Sequence, residues 1–136
     1  MRIILVCSLL SSVLMPAASA ADDKWVLAAK SLNGSEIFVY LAEVIDTGDL
    51  LYAKTLMNYS FRQDTGELSS VSEDIISCSR GMIKTTRMST YSEKLARGRK
   101  LSNDDLVKLE LDMWHSPVAG SVYRDYVVRL CSHFGR

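Results

Sequence analysis

The sequence predicts an α+β fold, an antiparallel sheet with one C-terminal helix packed on it and tied to it by a disulfide. Three observations predict it. Period-two alternation and β-branched or aromatic runs fill much of the first half, as half-buried and central strands require. A single apolar stripe at helical spacing is confined to the C-terminus. Two cysteines, Cys78 and Cys131, remain once an N-terminal export segment is set aside. The 136 residues, 48% hydrophobic, suffice for one core and leave little room for a second. With 16 basic against 16 acidic side chains, general nucleic-acid binding is disfavoured, since that affinity rests on neutralising phosphates.

Residues 1–20 read as a secretory signal. Arg2 supplies the positive start, Ile3 to Met15 the apolar run, and Ala18-Ser19-Ala20 the small residues of a cleavage site. The run is shorter than the roughly 20 residues of a membrane span. Cys7 lies inside it, away from the cleavage point, so neither a membrane nor a lipid anchor is expected. Cleavage after Ala20 leaves one domain, residues 21–136, in the periplasm or secreted.

Along that domain, Lys24 to Lys30 alternates as a strand and ends at Asn33-Gly34. Glu36 to Ile45 is apolar on both faces, as one central strand or two would be. Asp46-Thr47-Gly48-Asp49 is a turn, and Leu50 to Tyr59 returns as a partner strand. Phe61 to Glu73 is polar and reads as a loop. Ile75 to Arg80 is the strand carrying Cys78, with Gly81 as a bulge. Met82 to Tyr91 continues as a solvent-facing strand; simple alternation puts Lys84, Thr86, Met88 and Thr90 on one face and Ile83, Thr85 and Arg87 on the other.

Ala96 to Lys100 is a basic turn. Residues 102–114 stay open, since Leu109, Leu111 and Met113 alternate like a strand while Ser102 and Asp105 resemble a helix start. The last element is a helix with Ser116 as cap, Pro117 at the first position and Gly135 at the end. Ala119, Val122, Tyr123, Tyr126 and Leu130 form its stripe, and such a helix needs a sheet face to cover. Val128 falls on the polar side.

Export places Cys78 and Cys131 in an oxidising compartment, and an even count favours one bridge. The competing metal site would use His115 and His133 as well. Cys131-x-His133 lacks the spacing of a zinc pair, and no second close pair exists, so no metal is expected. Nucleophilic catalysis has little support. There is no G-x-S-x-G elbow, and a bridged cysteine cannot attack. His115 and His133 read as surface or packing residues, and the acidic pairs Asp22-Asp23, Glu73-Asp74 and Asp104-Asp105 as solvated turn residues. No catalytic residue and no cofactor is expected.

Charge is unevenly placed. Residues 21–77 carry ten acids and four bases, whereas residues 78–136 carry eleven bases and six acids. Arg80, Lys84, Arg87, Lys94, Arg97, Arg99 and Lys100 are opposed within their segment only by Glu93. These seven form the candidate surface for an acidic partner. The alternative is a solvated face whose charges discourage edge pairing.

A Trp-led first strand, a mid-chain Cys strand, and Trp-x-Ser-Pro before a helix ending in Cys resemble the surface-adhesin protein E family. The matching positions are Trp25, Tyr59-Ser60, Cys78, Tyr91-Ser92, Gly98, Trp114, Ser116-Pro117 and Cys131. The resemblance implies six strands, a helix tethered by the disulfide, and a non-enzymatic binding protein. It also implies a homodimer that attaches to host matrix proteins such as vitronectin and laminin. Family adhesins are lipid-anchored; this chain lacks a cysteine after its cleavage site, so a free product is expected. Two other classes compete. One is a periplasmic inhibitor or stability factor acting on another envelope protein, the other a small hydrolase. Pull-down from periplasm against binding to immobilised matrix proteins separates the first reading from the second.

Overall fold

A computed structural model describes residues 24–105 and 113–136. The expected export segment, residues 21–23, and residues 106–112 of the ambiguous stretch lie outside the described residues. Seven strands form one antiparallel sheet: β1 (Val26–Lys30), β2 (Glu36–Val39), β3 (Ile45–Asp46), β4 (Leu51–Asn58), β5 (Ser69–Ser77), β6 (Met82–Tyr91) and β7 (Lys100–Asp105). Six run in the order β1-β2-β4-β5-β6-β7, and the short β3 pairs with β4 off that path. Helix α1 (Val122–His133) packs across the β1 and β2 end. The apolar stretch from Glu36 thus divides in two, broken by a 3-10 turn at Leu41–Glu43.

Cross-strand partners share a face, so the register sorts the side chains. Leu51–Ile76–Ile83, Ala53–Asp74–Thr85 and Thr55–Ser72–Met88 lie on the helix side. Tyr52–Ile75–Lys84, Lys54–Glu73–Arg87 and Leu56–Val71–Ser89 lie on the other. The core joins Ile37, Val39, Leu51, Ala53, Ile76 and Ile83 to Tyr126, Val127 and Leu130 of α1. Ala28 and Ala29, both buried, let the helix approach β1 closely.

Several sequence expectations are corrected. The polar stretch ending at Glu73 is not all loop, because β5 begins at Ser69. Ser69, Ser70 and Asp74 are buried there, and hydrogen-bonded neighbours replace the apolar pattern that marks a central strand. Next, Thr86 is an extra residue in β6, since Asp74 pairs with Thr85 but Glu73 with Arg87. This bulge puts Lys84 and Arg87 on one face, where simple alternation separated them. The bulge is there and not at Gly81, which sits in the β5–β6 turn and donates its N–H to the Cys78 carbonyl at 3.2 Å.

The helix also begins later than expected. Gly120 has φ +79°, which a right-handed helix cannot contain, and Ser121 is the cap, its Oγ accepting from the Arg124 N–H at 3.2 Å. Ala119 therefore precedes the helix, and Val127 and Cys131 complete the buried stripe with Tyr126 and Leu130. Val128 remains 49% exposed.

Cys78 and Cys131 are bridged across a sequence separation of 53, with Cα atoms 5.7 Å apart. Cys78 stands just beyond β5 rather than within a strand, so the bridge ties the β5–β6 turn to the last turn of α1. Arg136 adds a second tie, its Nη2 donating to Asp46 Oδ1 at 2.6 Å and Oδ2 at 2.8 Å. The Gly48 N–H and that guanidinium hold the Asp46 carboxyl below the usual carboxylate range.

Candidate functional site

The seven candidate cations do not form one patch. Arg80 lies in the β5–β6 turn, its guanidinium 4.7 Å over the Trp114 ring and its Nε donating to Ser77 Oγ at 3.1 Å. The ten residues of β6 separate it by roughly 30 Å from the hairpin at the other end. Arg87 stands opposite Glu73 in β5, and Glu73 stands opposite Lys54. Opposite charges facing across strands support a sheet, so Arg87 belongs to a charge ladder. Lys84 shares that face, beside Ile75.

Lys94, Arg97, Arg99 and Lys100 are brought together. All four are exposed, on the β6–β7 connection and the first residue of β7. The connection is built, not slack. The Ser92 N–H donates to the Arg99 carbonyl at 2.9 Å, the Glu93 N–H to the Arg97 carbonyl at 3.1 Å, and the Arg97 N–H to the Lys94 carbonyl at 3.3 Å. Leu95 and Ala96 hold φ of +59° and +56°, a left-handed pair that costs roughly 1–3 kcal/mol per residue without glycine. Two buried side chains offset that strain. Asn58 Oδ1 accepts the Leu95 N–H at 2.8 Å, and Ser69 Oγ accepts the Ala96 N–H at 3.0 Å.

Arg62 braces the loop from the neighbouring connection, donating to the Ser92 carbonyl at 2.9 Å. Ser92 Oγ accepts the Arg99 N–H at 2.8 Å. At Gly98, φ is +74° and a Cβ would come within 2.4 Å of Ser92 Oγ and 2.8 Å of Glu93 Cγ. Gly98→Ala should therefore cost about 1–3 kcal/mol, read as a lower urea midpoint. A midpoint within error of wild type would show the loop to be pliable. Asn58, Ser69 and the left-handed pair carried no local signature in the sequence; the basic run did.

A second polar cluster is interior. Asp74 is 3% exposed, which overturns its reading as a solvated turn residue. Thr55 Oγ1 donates to its Oδ2 at 2.8 Å and Thr85 Oγ1 to its Oδ1 at 2.7 Å. Burial pushes the Asp74 carboxyl up, against the pull of these hydroxyls, Ser72 and the charge of His115. The Tyr126 hydroxyl is also buried and, among the described residues, makes no hydrogen bond of good geometry, although the Asp74 side chain lies near enough to interact with it. Burial and the nearby Asp74 carboxylate hold its proton on. Tyr123 donates to Met57 Sδ at 3.3 Å.

His115 pairs through its backbone with Ile83, and His133 packs edge-on against Phe134 at 5.1 Å between centroids. Among the described residues, no three His, Cys, Asp or Glu side chains gather to hold a metal. No helix among them is long and apolar enough to cross a membrane.

A profile of the surface-adhesin protein E family matches residues 25–132. Among solved structures, crystal form II of Haemophilus influenzae protein E is similar at 10% identity and a TM-score of 0.59, covering 92% of this chain and 100% of that one. Protein E from non-typeable Haemophilus influenzae is similar at 12% identity and a TM-score of 0.59, covering 90% of this chain and 85% of the other. At such identities the structural likeness is one of fold. No curated protein matches the sequence.

Proposed function

We propose an adhesive, non-enzymatic role for this chain, which belongs to the surface-adhesin protein E family. In this reading the protein is exported and binds an acidic segment of a protein partner, with a host matrix protein as the first candidate. Lys94, Arg97, Arg99 and Lys100 make the contact. The observation that carries the reading is the fixed conformation of their loop, held by Asn58 and Ser69. A surface already ordered loses little conformational freedom on binding. Its charge acts locally, because the chain as a whole carries no formal net charge. The export signal and the disulfide support a place outside the cytoplasm.

The test is the triple variant Lys94→Glu, Arg97→Glu, Arg99→Glu against immobilised vitronectin and laminin. Exposed charges steer encounter more than they stabilise a fold. The variant should keep its melting temperature and bind at least about tenfold more weakly, chiefly through a slower association rate. Wild-type binding should weaken as salt shortens the Debye length from about 10 Å at 0.1 M. Equal rates and affinities for the two proteins at both salt concentrations would refute the assignment.

A further inference from the structure

Resting on the reading of the basic loop as the contact for an acidic segment, we infer that Leu32 and Phe61 are apolar anchors of the same surface. The partner's segment then carries apolar side chains beside its carboxylates. The antiparallel order brings three connections to one end of the sheet: residues 31–35 between β1 and β2, 59–68 between β4 and β5, and 92–99 between β6 and β7. They are joined side by side. The Ser60 N–H donates to Ser35 Oγ at 3.2 Å, and Arg62 donates to the Ser92 carbonyl at 2.9 Å. Leu32 is 110% exposed and Phe61 64%. Neither stands on a slack turn. The Ser31 N–H donates to the Ser35 carbonyl at 2.8 Å, and the Gly34 N–H to the Ser31 carbonyl at 3.0 Å. Gln63 Nε2 donates to the Phe61 carbonyl at 3.0 Å, and the Gln63 N–H to the Glu67 carbonyl at 3.0 Å. Scattered single apolar residues are ordinary on a surface; these two stand on bonded, neighbouring turns at the end that carries the basic loop. Apolar side chains presented by ordered turns gain their burial on binding at little cost in freedom.

Chain length keeps this end clear. Lys24 lies at the far end of β1, eight residues before Leu32, roughly 26 Å along an extended strand. With cleavage after Ala20, three residues precede Lys24 and reach at most about 11 Å. The chain between Asp105 and Met113 covers eight peptide spans, at most about 29 Å. It leaves β7 five residues beyond Lys100 and returns beside the Ile83–His115 bridge, at the opposite end of β6. That is too short to reach Phe61 and come back.

Charge selects the occupant. Lys94, Arg97, Arg99 and Lys100 hold one end of the row, and Arg62 is exposed at its middle. Asp64 is exposed beside Phe61, in a turn that the Gly66 N–H closes on the Gln63 carbonyl at 2.8 Å. A bilayer of anionic lipid would meet that carboxylate wherever Phe61 entered it, so the pair favours a peptide over a membrane. Of the other carboxylates here, Glu67 accepts from Thr65 and Glu36 pairs with Lys30 at 3.6 Å, while Glu93 is exposed. Strands stand about 4.8 Å apart, so the three connections form a row of roughly 20 Å, the span of six or seven extended residues. The complement is an extended segment with its apolar side chains over Leu32 and Phe61 and its carboxylates over the basic loop.

The probes are two capped peptides, Val-Phe-Ser-Gly-Glu-Asp-Glu-Asp and Ser-Ser-Ser-Gly-Glu-Asp-Glu-Asp, each also made in reverse order. They are titrated into the purified exported protein and followed by backbone amide shifts. Both should shift residues 92–100. The apolar–acidic peptide, in its better order, should also shift Leu32 and Phe61 and bind about tenfold more tightly. Replacing both exposed anchors, Leu32→Ser with Phe61→Ser, should remove that tenfold and leave the affinity of the serine peptide unchanged. Lys94→Glu, Arg97→Glu, Arg99→Glu should weaken both peptides. Equal affinity for the two peptides, or a gain that survives the double variant, would overturn the anchors while leaving the basic loop in place. No saturation by either peptide up to about 1 mM would overturn the loop reading and the anchors with it. Vesicles of phosphatidylcholine and phosphatidylglycerol, at roughly three to one, complete the test. Capture of the wild type but not of the double variant would give Leu32 and Phe61 to a membrane and overturn the inference.

Discussion

Replacing Cys131 by serine should destabilise the oxidised protein by about 4 kcal/mol. The bridge closes a loop whose ends are 53 residues apart, and chain entropy lost from the unfolded state grows with that length. Total stability of a domain is typically about 5–15 kcal/mol, so the loss is a large fraction of it. The helix should persist, because Tyr126, Val127 and Leu130 stay packed on the sheet. Urea unfolding of wild type, Cys131→Ser and the double variant with Cys78→Ser measures the effect. The two variants should agree, since the lone thiol left at position 78 replaces nothing. A loss below about 1 kcal/mol would mean that the unfolded chain is already constrained, or that the closed form is strained.

Asp74 should dominate the pH dependence of stability. Its carboxyl is raised because burial disfavours the charged form more than Thr85, Thr55, Ser72 and His115 favour it. Tyr123 and Tyr126 of α1 face the same cluster, and each has its phenol pKa raised first by burial and then by Asp74. The folded state thus binds the Asp74 proton more tightly than the unfolded chain, whose value is near 3.8. This contribution is fully present below that value and is lost as pH rises through the folded pKa. Asp46 acts in the opposite sense: its lowered carboxyl contributes stability above 3.8 that is lost as pH falls.

The difference between wild type and Asp74→Asn isolates the first group. Wild type should lose stability relative to the Asn variant as pH rises from about 4 toward 7, and urea midpoints across that range measure it. Parallel curves would contradict the buried-carboxyl account. Asp74→Ala should cost roughly 2–4 kcal/mol, because it leaves the Thr55 and Thr85 hydroxyls without their acceptor. Tyr126→Phe should cost little, since among the described residues its buried hydroxyl makes no hydrogen bond of good geometry and meets Asp74 only loosely.

Much of the fold was legible, for identifiable reasons. Period-two alternation located β1, the threonine- and serine-rich run from Met82 to Tyr91 located β6, and Asp46-Thr47-Gly48-Asp49 announced the β3–β4 turn and with it the partner strand β4, the Gly48 N–H meeting Asp46 Oδ1 at 2.8 Å. The cysteine count in an exported chain was enough to pair Cys78 with Cys131. The beginning of β5 was hidden because its buried side chains are serines and an aspartate, whose partners come from distant strands. The Thr86 bulge was hidden for a related reason, since no local residue type demands it and only the register reveals it. Pro117 and Gly120 compete as signals for the helix start, and the positive φ of Gly120 decides for Ser121.

The candidate surface was half legible. The basic run stood out in composition, but composition cannot tell a ladder member such as Arg87 or a stacked residue such as Arg80 from an exposed loop cation. That sorting needs the sheet. Amide hydrogen exchange, with and without a bound matrix protein, tests the central claim most directly. In the free protein the amides of Leu95 and Ala96 should already be protected by Asn58 and Ser69. In the complex, added protection should concentrate in residues 92–100. Added protection elsewhere, with residues 92–100 unchanged, would contradict the assignment of this loop as the contact surface.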